Sequence, residues 1–294
     1  MNQRIITGIL FTLAIALFVV PGYWWPVVPL IMFAAVANLA RAELSRALRS
    51  HQLELPRVMS QIGSFLFLLP MLILVPGIAP AETVSGLARP LTAFALLVAG
   101  LITWSALTVL KLLIFEGPQA LPRAVTAMMA NLYLVLPMGM AVVILFFVPQ
   151  GWLWLVLSLA SPWISDVFAF FTGSLFGRHK IVPLISPKKT VEGSIGGLLG
   201  GIIASIVLLP LISGLAAASF FKNPALILFA IVSGIILSIA SQLGDWVASG
   251  IKRWCAVKDF GHWLPGHGGI LDRFDSVLFT VPVTLMLAVL FTYF

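Results

Sequence analysis

The sequence predicts an all-α polytopic membrane protein with about nine transmembrane helices. Three observations carry that expectation. Of 294 residues, 61% are hydrophobic and only 9% are charged, against about 25% charged in a soluble globular domain. The apolar residues fall in long runs, and crossing a hydrocarbon core takes about 20 of them. When the runs alternate across a membrane, fifteen of the 17 Lys and Arg fall on one side, as the bias toward basic cytoplasmic loops requires.

The first run, Ile5 to Val20, follows a single basic residue, Arg4. No small-x-small cleavage pattern closes it, so it reads as a retained helix rather than a signal peptide. Tyr23, Trp24 and Trp25 fit the aromatic belt at a membrane surface. A second run covers about Trp25 to Ala40. Arg41 to Arg57 is then expected to be the first polar loop, with Glu43 and Glu54 among four arginines. Further runs cover 58–76, 90–114, 124–148, 152–176, 194–216, 224–244 and 271–293. Gly196-Gly197 and Gly200-Gly201 present small residues four apart, a face that lets another helix approach closely.

With the N-terminus cytoplasmic and nine spans, the C-terminus lies outside. The polar loops 177–193 and 245–270 then share the cytoplasmic side. Residues 1–150 form an N-terminal group of membrane helices, and 151–294 a C-terminal region that holds the polar loops. The net charge of +7 follows from the positive-inside bias. It does not indicate a nucleic-acid partner, since no basic run is interleaved with stacking aromatics. Cys255 is the single cysteine, which excludes an intrachain disulfide and a cysteine metal cluster.

Ionisable groups concentrate near the C-terminus. Four of the five aspartates, Asp245, Asp259, Asp272 and Asp275, lie between Ser241 and Ser276, with Lys252, Arg253, Lys258, Arg273, His262 and His267. At helical spacing, Asp245, Ser249 and Lys252 share a face, and Ser241 and Gln242 extend it. The turn Pro265-Gly266-His267-Gly268-Gly269 offers backbone N–H groups to an anion. Asp272, Asp275 and Ser276 then share a face at the start of the last span. The fifth aspartate, Asp166, sits midway along an apolar run, where a charge is costly. It is expected to face a polar cavity, and helical spacing gives it one face with Gly173 and Gly177. The loop before Ser194 carries Lys188, Lys189 and Thr190 ahead of a helix start, an arrangement that suits phosphate. Carboxylates hold a hard cation through oxygen ligands, and neighbouring cations neutralise phosphates. The plainer alternative for the same residues is an interfacial ion-pair network.

Ser249 to Asp275, S-G-I-K-R-W-C-A-V-K-D-F-G-H-W-L-P-G-H-G-G-I-L-D-R-F-D, resembles the signature of the phosphatidate cytidylyltransferases, the CDP-diacylglycerol synthases. Ser241 to Asp245, Ser186 to Gly193 and the Asp166 run resemble that family's other polar segments. The resemblance is specific over 160–294, while the first 150 residues match only as membrane helices. It implies that CTP and phosphatidic acid give CDP-diacylglycerol and pyrophosphate, with Mg²⁺, on the cytoplasmic side of the cell membrane. It further implies Asp245 and Asp272 as metal ligands, and Asp245, Lys252, Asp272 and Asp275 as the catalytic group. Lys188, Lys189, Ser249, Arg253, Lys258, His267, Gly268, Gly269, Arg273 and Asp166 would contact substrate. A second, monovalent cation and a homodimer stay open. Two rival readings are another lipid transferase or polyprenol kinase, and a transporter with buried acids, which would spread its acids over several helices at mid-depth.

Overall fold

The computed structural model describes residues 2–74, 88–263 and 268–293. Among them, eight helical stretches are long and apolar enough to cross a membrane, and Leu10–Tyr23 is a shorter apolar helix. The expected all-α membrane architecture is therefore present. The first expected run is the short one.

Two compact units divide the chain, and they interleave along it. Unit 1 is Met1–Phe147 with Trp254–Phe274, and unit 2 is Val148–Arg253 with Asp275–Phe294. The segment Trp254–Phe274 thus belongs with the N-terminal helices.

Unit 1 begins with α1 (Asn2–Val19), α2 (Val28–Ala47) and the short α3 (Arg57–Gly63). A 3-10 stretch, Leu66–Leu74, follows. It contains Pro70, which removes a backbone donor and breaks α geometry. α4 (Ala88–Glu116) is continuous and exposes Ile102, Leu107, Leu110 and Ile114, the apolar outer face that a hydrocarbon solvent demands. α5 (Leu121–Ala130) and α6 (Leu136–Phe147) are joined by a π-turn at Asn131–Val135. Asn131 is buried there, and its Nδ2 donates to Ser105 Oγ on α4 (3.4 Å). Trp104 Nε1 donates to Met59 O (3.0 Å). The expected loop at Arg41 is displaced: α2 continues to Ala47, and Val36, Ala40, Glu43 and Ala47 are all buried on it. Those positions follow helical spacing, so the apolar stripe continues through the charged residues.

Unit 2 contains α7 (Gly151–Phe176), α8 (Val191–Ser213), the four-residue α9 (Ala217–Phe220), α10 (Pro224–Trp254, of which the last residue falls in unit 1) and α12 (Val277–Phe291). The small α11 (Leu271–Phe274) precedes α12 and belongs to unit 1. α7 and α8 meet through glycines. A Cβ at Gly200 would lie 2.9 Å from Ile164 O, and one at Gly193 would lie 3.3 Å from the Gly173 Cα. Gly201 faces Gly234 of α10, where a Cβ would lie 2.5 Å from the Gly234 carbonyl oxygen. The small-residue face expected from the sequence is therefore used on both sides. Hydroxyls and one amide stitch the same seam. Ser165 Oγ donates to Gly197 O (3.0 Å) and pairs with Ser238 Oγ (2.8 Å). Gln242 Nε2 donates to Ser194 O and to Ser238 Oγ (both 3.2 Å). Side-chain hydrogen bonds of this kind join helices where apolar surface gains nothing from burial against lipid.

Candidate functional site

In unit 2 the loop 177–190 is closed at its neck. Lys180 and Thr190 form an antiparallel bridge, and Val191 N–H donates to His179 O (2.9 Å). Thr190 is the N-cap of α8, its Oγ1 accepting from Gly193 N–H (3.1 Å). Glu192 reaches back from the first turn. Its Oε2 accepts from Arg178 N–H (3.1 Å), and its Oε1 meets His179 Nδ1 (2.7 Å). Arg253 Nε donates to Ile185 O (3.3 Å) and ties the far part of the loop to the end of α10.

This closure aims Lys189. Its Nζ pairs with Asp245 Oδ2 of α10, and both side chains are largely buried, at 29% and 22% exposed. Burial pulls the Lys189 ammonium down, but Asp245, Asp166 and Asp275 together outweigh it and hold its pKa above the usual 10.5. Asp275 is only 6% exposed; its Oδ1 accepts from Ser276 N–H (2.7 Å), and Asp245, Lys252 and Asp166 act on it electrostatically. Asp275 also lies where α10 and α12 come together, since a Cβ at Gly244 would sit 2.7 Å from Asp275 O. Three carboxylates, Asp166 on α7, Asp245 on α10 and Asp275 in the turn before α12, therefore share one field with Lys189 and Lys252. Ser249 is buried on the same helix as Asp245, whereas Lys188 and Arg253 are exposed. Asp166 is exposed on α7, on the helical face that carries Phe170 outward.

Unit 1 holds the other half of the signature: Lys258, Asp259, Gly268, Gly269, Asp272 and Arg273. Pro265, Gly266 and His267 lie outside the described residues. Asp272 Oδ2 accepts from Phe260 N–H and Gly269 N–H (both 2.9 Å). The Gly269 amide, expected to bind a substrate anion, is engaged in this structure by the chain's own carboxylate. Gly268 has φ +83°, a left-handed conformation that favours glycine. A Cβ there would also lie 2.8 Å from Asp272 Oδ2.

Sequence reasoning passed over Glu43 of α2. It is fully buried. Its Oε1 accepts from Ile270 N–H (3.0 Å), and its Oε2 from Leu271 N–H (2.8 Å). The signal was present, because Glu43 falls on the stripe of Val36, Ala40 and Ala47.

The model of the Cytidylyltransferase family matches residues 2–291. This chain belongs to the cytidylyltransferase family. Among similar curated proteins, the phosphatidate cytidylyltransferase of Staphylococcus saprophyticus is 44% identical over 140 residues, 48% of this chain and 50% of the relative. That of Staphylococcus haemolyticus is 49% identical over 127 residues, 43% of this chain and 45% of the relative. That of Staphylococcus aureus strain COL is 41% identical over 140 residues, again 48% and 50%. The chain thus spans about half the length of the curated relatives it matches.

The donor chemistry of unit 2 fits a hard divalent ion. Asp245, Asp275 and Asp166 offer oxygen only. Among the described residues no three ligating side chains converge, and Mg²⁺ does not need them: one or two carboxylates suffice when water and substrate phosphates complete the octahedron.

Proposed function

We propose that the chain transfers the cytidylyl group of CTP to phosphatidic acid. An oxygen of the lipid phosphate forms a bond to the α-phosphorus of CTP. The bond from that phosphorus to the β-phosphate bridging oxygen breaks, and pyrophosphate leaves. CDP-diacylglycerol is the lipid product. The observation that carries the reading is the grouping of Lys189, Lys252, Asp245, Asp275 and Asp166 within a chain of this family.

Transfer of this type needs positioning and charge neutralisation more than covalent help. A phosphate monoester has a second pKa near 6, so its attacking oxygen is ionised at neutral pH without a strong base. Lys189 remains cationic in its carboxylate surroundings and is available to a phosphate. Lys252 and the exposed Lys188, Arg253 and Lys258 are assigned to the triphosphate and the acceptor. Ser249 lines the same stretch of α10. Mg²⁺, when bound, neutralises phosphate oxygens and spreads the developing charge. Asp245 and Asp272 are the ligands that the family resemblance implies, and Asp275 and Asp166 are the carboxylates grouped with Asp245. Asp272 additionally fixes the turn that carries Arg273. The site is assigned to the cytoplasmic side of the cell membrane, where CTP is soluble and phosphatidic acid lies in the bilayer.

The test is a product assay. Purified protein with labelled CTP, phosphatidic acid and Mg²⁺ is expected to release pyrophosphate and label a lipid. Absence of labelled lipid under conditions where the protein stays folded would overturn the reading.

A further inference from the structure

The start of α11 is built on a carboxylate that belongs to none of the motifs above. α11 has only four residues, too few to hold its own first turn, since nucleating one helical turn is unfavourable. Its leading amides are instead capped by side chains, one from α2 and one from α11 itself. Ile270 and Leu271 donate to the two oxygens of Glu43, and Gly269 donates to Asp272. Three consecutive N–H groups are thus held by two carboxylates.

The surroundings of Glu43 are shaped for that side chain. A Cβ at Gly269 would overlap both Glu43 oxygens, and one at Gly261 would overlap Oε1 and lie 2.7 Å from Cδ. Two glycines of the signature segment therefore leave the room that the carboxylate occupies. Burying an ionisable group without partners is costly, and here the two amides supply those partners. Asp272 and Arg46 are the charged groups within electrostatic reach.

We propose that Glu43 is a positioning residue for the signature turn. It clamps residues 269–271, and through them sets the direction in which Asp272 and Arg273 leave the turn. The clamp stands on geometry alone, while its consequence for turnover rests on the cytidylyl-transfer reading. The contact spans 227 residues of sequence, so it also makes the N-terminal helices a determinant of the signature segment.

Hydrogen exchange on the whole 294-residue chain in detergent tests the clamp without reference to activity. In the unsubstituted protein, amides 270 and 271 are expected to be protected, although a four-residue helix ordinarily leaves its leading N–H groups open. Rapid exchange there would overturn the proposal. Glu43→Gln keeps the volume but turns an NH₂ toward one of the two N–H donors. It is expected to speed exchange over 268–272 at least about tenfold, leave α8 unchanged, and lower kcat by about tenfold to a hundredfold, the scale of a misplaced reacting group. Gly269→Ala displaces the carboxylate from the other side and is expected to reproduce both effects. The double variant Glu43→Gln/Gly269→Ala should lose little more than either single one, because both remove the same contact. Glu43→Gln with unchanged exchange over 268–272, or with faster exchange but unchanged kcat, would overturn the positioning role. If the unsubstituted protein makes no CDP-lipid yet shows the exchange pattern, the transfer reading fails and the clamp stands.

Discussion

At the scale of single residues, Lys189 and Glu43 illustrate what spacing does and does not reveal. Lys189 was legible as a phosphate-site candidate because it stands beside Lys188 before a helix start. Its pairing with Asp245 was not, because a loop and a helix 56 residues apart have no common period. The pairing carries a pH dependence whose sign is definite. Lys189 has a folded pKa above its usual 10.5. A raised amine contributes stability that is fully present below the unfolded value of about 10.4 and is lost as pH rises through the folded one. Between pH 6 and 9 Lys189 therefore adds no slope. In Asp245→Asn the largest attractive partner is gone while burial remains, so the Lys189 pKa falls. Followed in detergent from pH 7 to 11, the thermal midpoint of the unsubstituted protein is expected to fall more above about pH 10 than that of Asp245→Asn, whose Lys189 no longer carries the raise. Parallel curves would remove Asp245 as the source of the shift. The same variant is expected to lose at least about a hundredfold in turnover, the usual cost of deleting one preorganised charge partner at phosphate. Glu43 was missed because a charge beside Arg41 and Arg46 resembles a loop. Only the apolar stripe running through it shows the burial.

At the scale of elements, the apolar runs gave helix positions well and helix interruptions poorly. The 3-10 stretch at Leu66–Leu74 has its cause in Pro70. The π-turn at Asn131–Val135 depends on where Asn131 finds Ser105, a tertiary fact. α10 continues ten residues past the apolar run that announced it, to Trp254. Its polar end is supported by partners rather than by hydropathy. Glycine packing was legible from the four-residue spacing at Gly196 and Gly200, and it makes a sharp contrast within α10. A Cβ at Gly234 would overlap the Ile202 backbone and lie 2.6 Å from Gly201 O, whereas nothing lies within 4 Å of one at Gly250. Backbone cannot rotate away as a side-chain tip can. Gly234→Ala is therefore expected to cost about 1–3 kcal/mol, the range for overpacking. That corresponds to a fall of a few degrees in the unfolding midpoint. Gly250→Ala is expected to leave the midpoint level or raise it slightly, since alanine is favoured over glycine by up to about 1 kcal/mol in a helix. Equal midpoints for the two variants would show that close approach of α8 and α10 is not what Gly234 provides.

At the scale of the whole molecule, linear order misleads. A boundary near residue 150 is visible as a change from plain apolar runs to polar ones. The return of Trp254–Phe274 to the N-terminal unit is not, because it depends on contacts such as Glu43 with Leu271 that leave no local pattern. Orientation is the global property that composition addresses most directly. Fifteen of 17 basic residues fall on one side of the expected topology, and Arg89 and Lys222 fall on the other. The bias arises because basic loops resist translocation, so the expectation is loop 177–190 in the cytoplasm and Lys222 on the opposite face. Cys255 makes this testable. It is the single cysteine, it is buried, and burial raises its thiol pKa, so its background labelling is low and Cys255→Ala removes it. Lys188 and Lys222 are both exposed. In a Cys255→Ala background, Lys222→Cys is expected to react with a membrane-impermeant maleimide on intact cells, and Lys188→Cys only after permeabilisation. The reverse pattern would invert the topology and place Lys189 and its carboxylates on the side away from cytosolic CTP. The proposed reaction would then have no nucleotide donor at its site. Agreement between the labelling pattern and the product assay therefore tests the function from two independent directions, one resting on loop charge and the other on the chemistry of the lysine and carboxylate cluster.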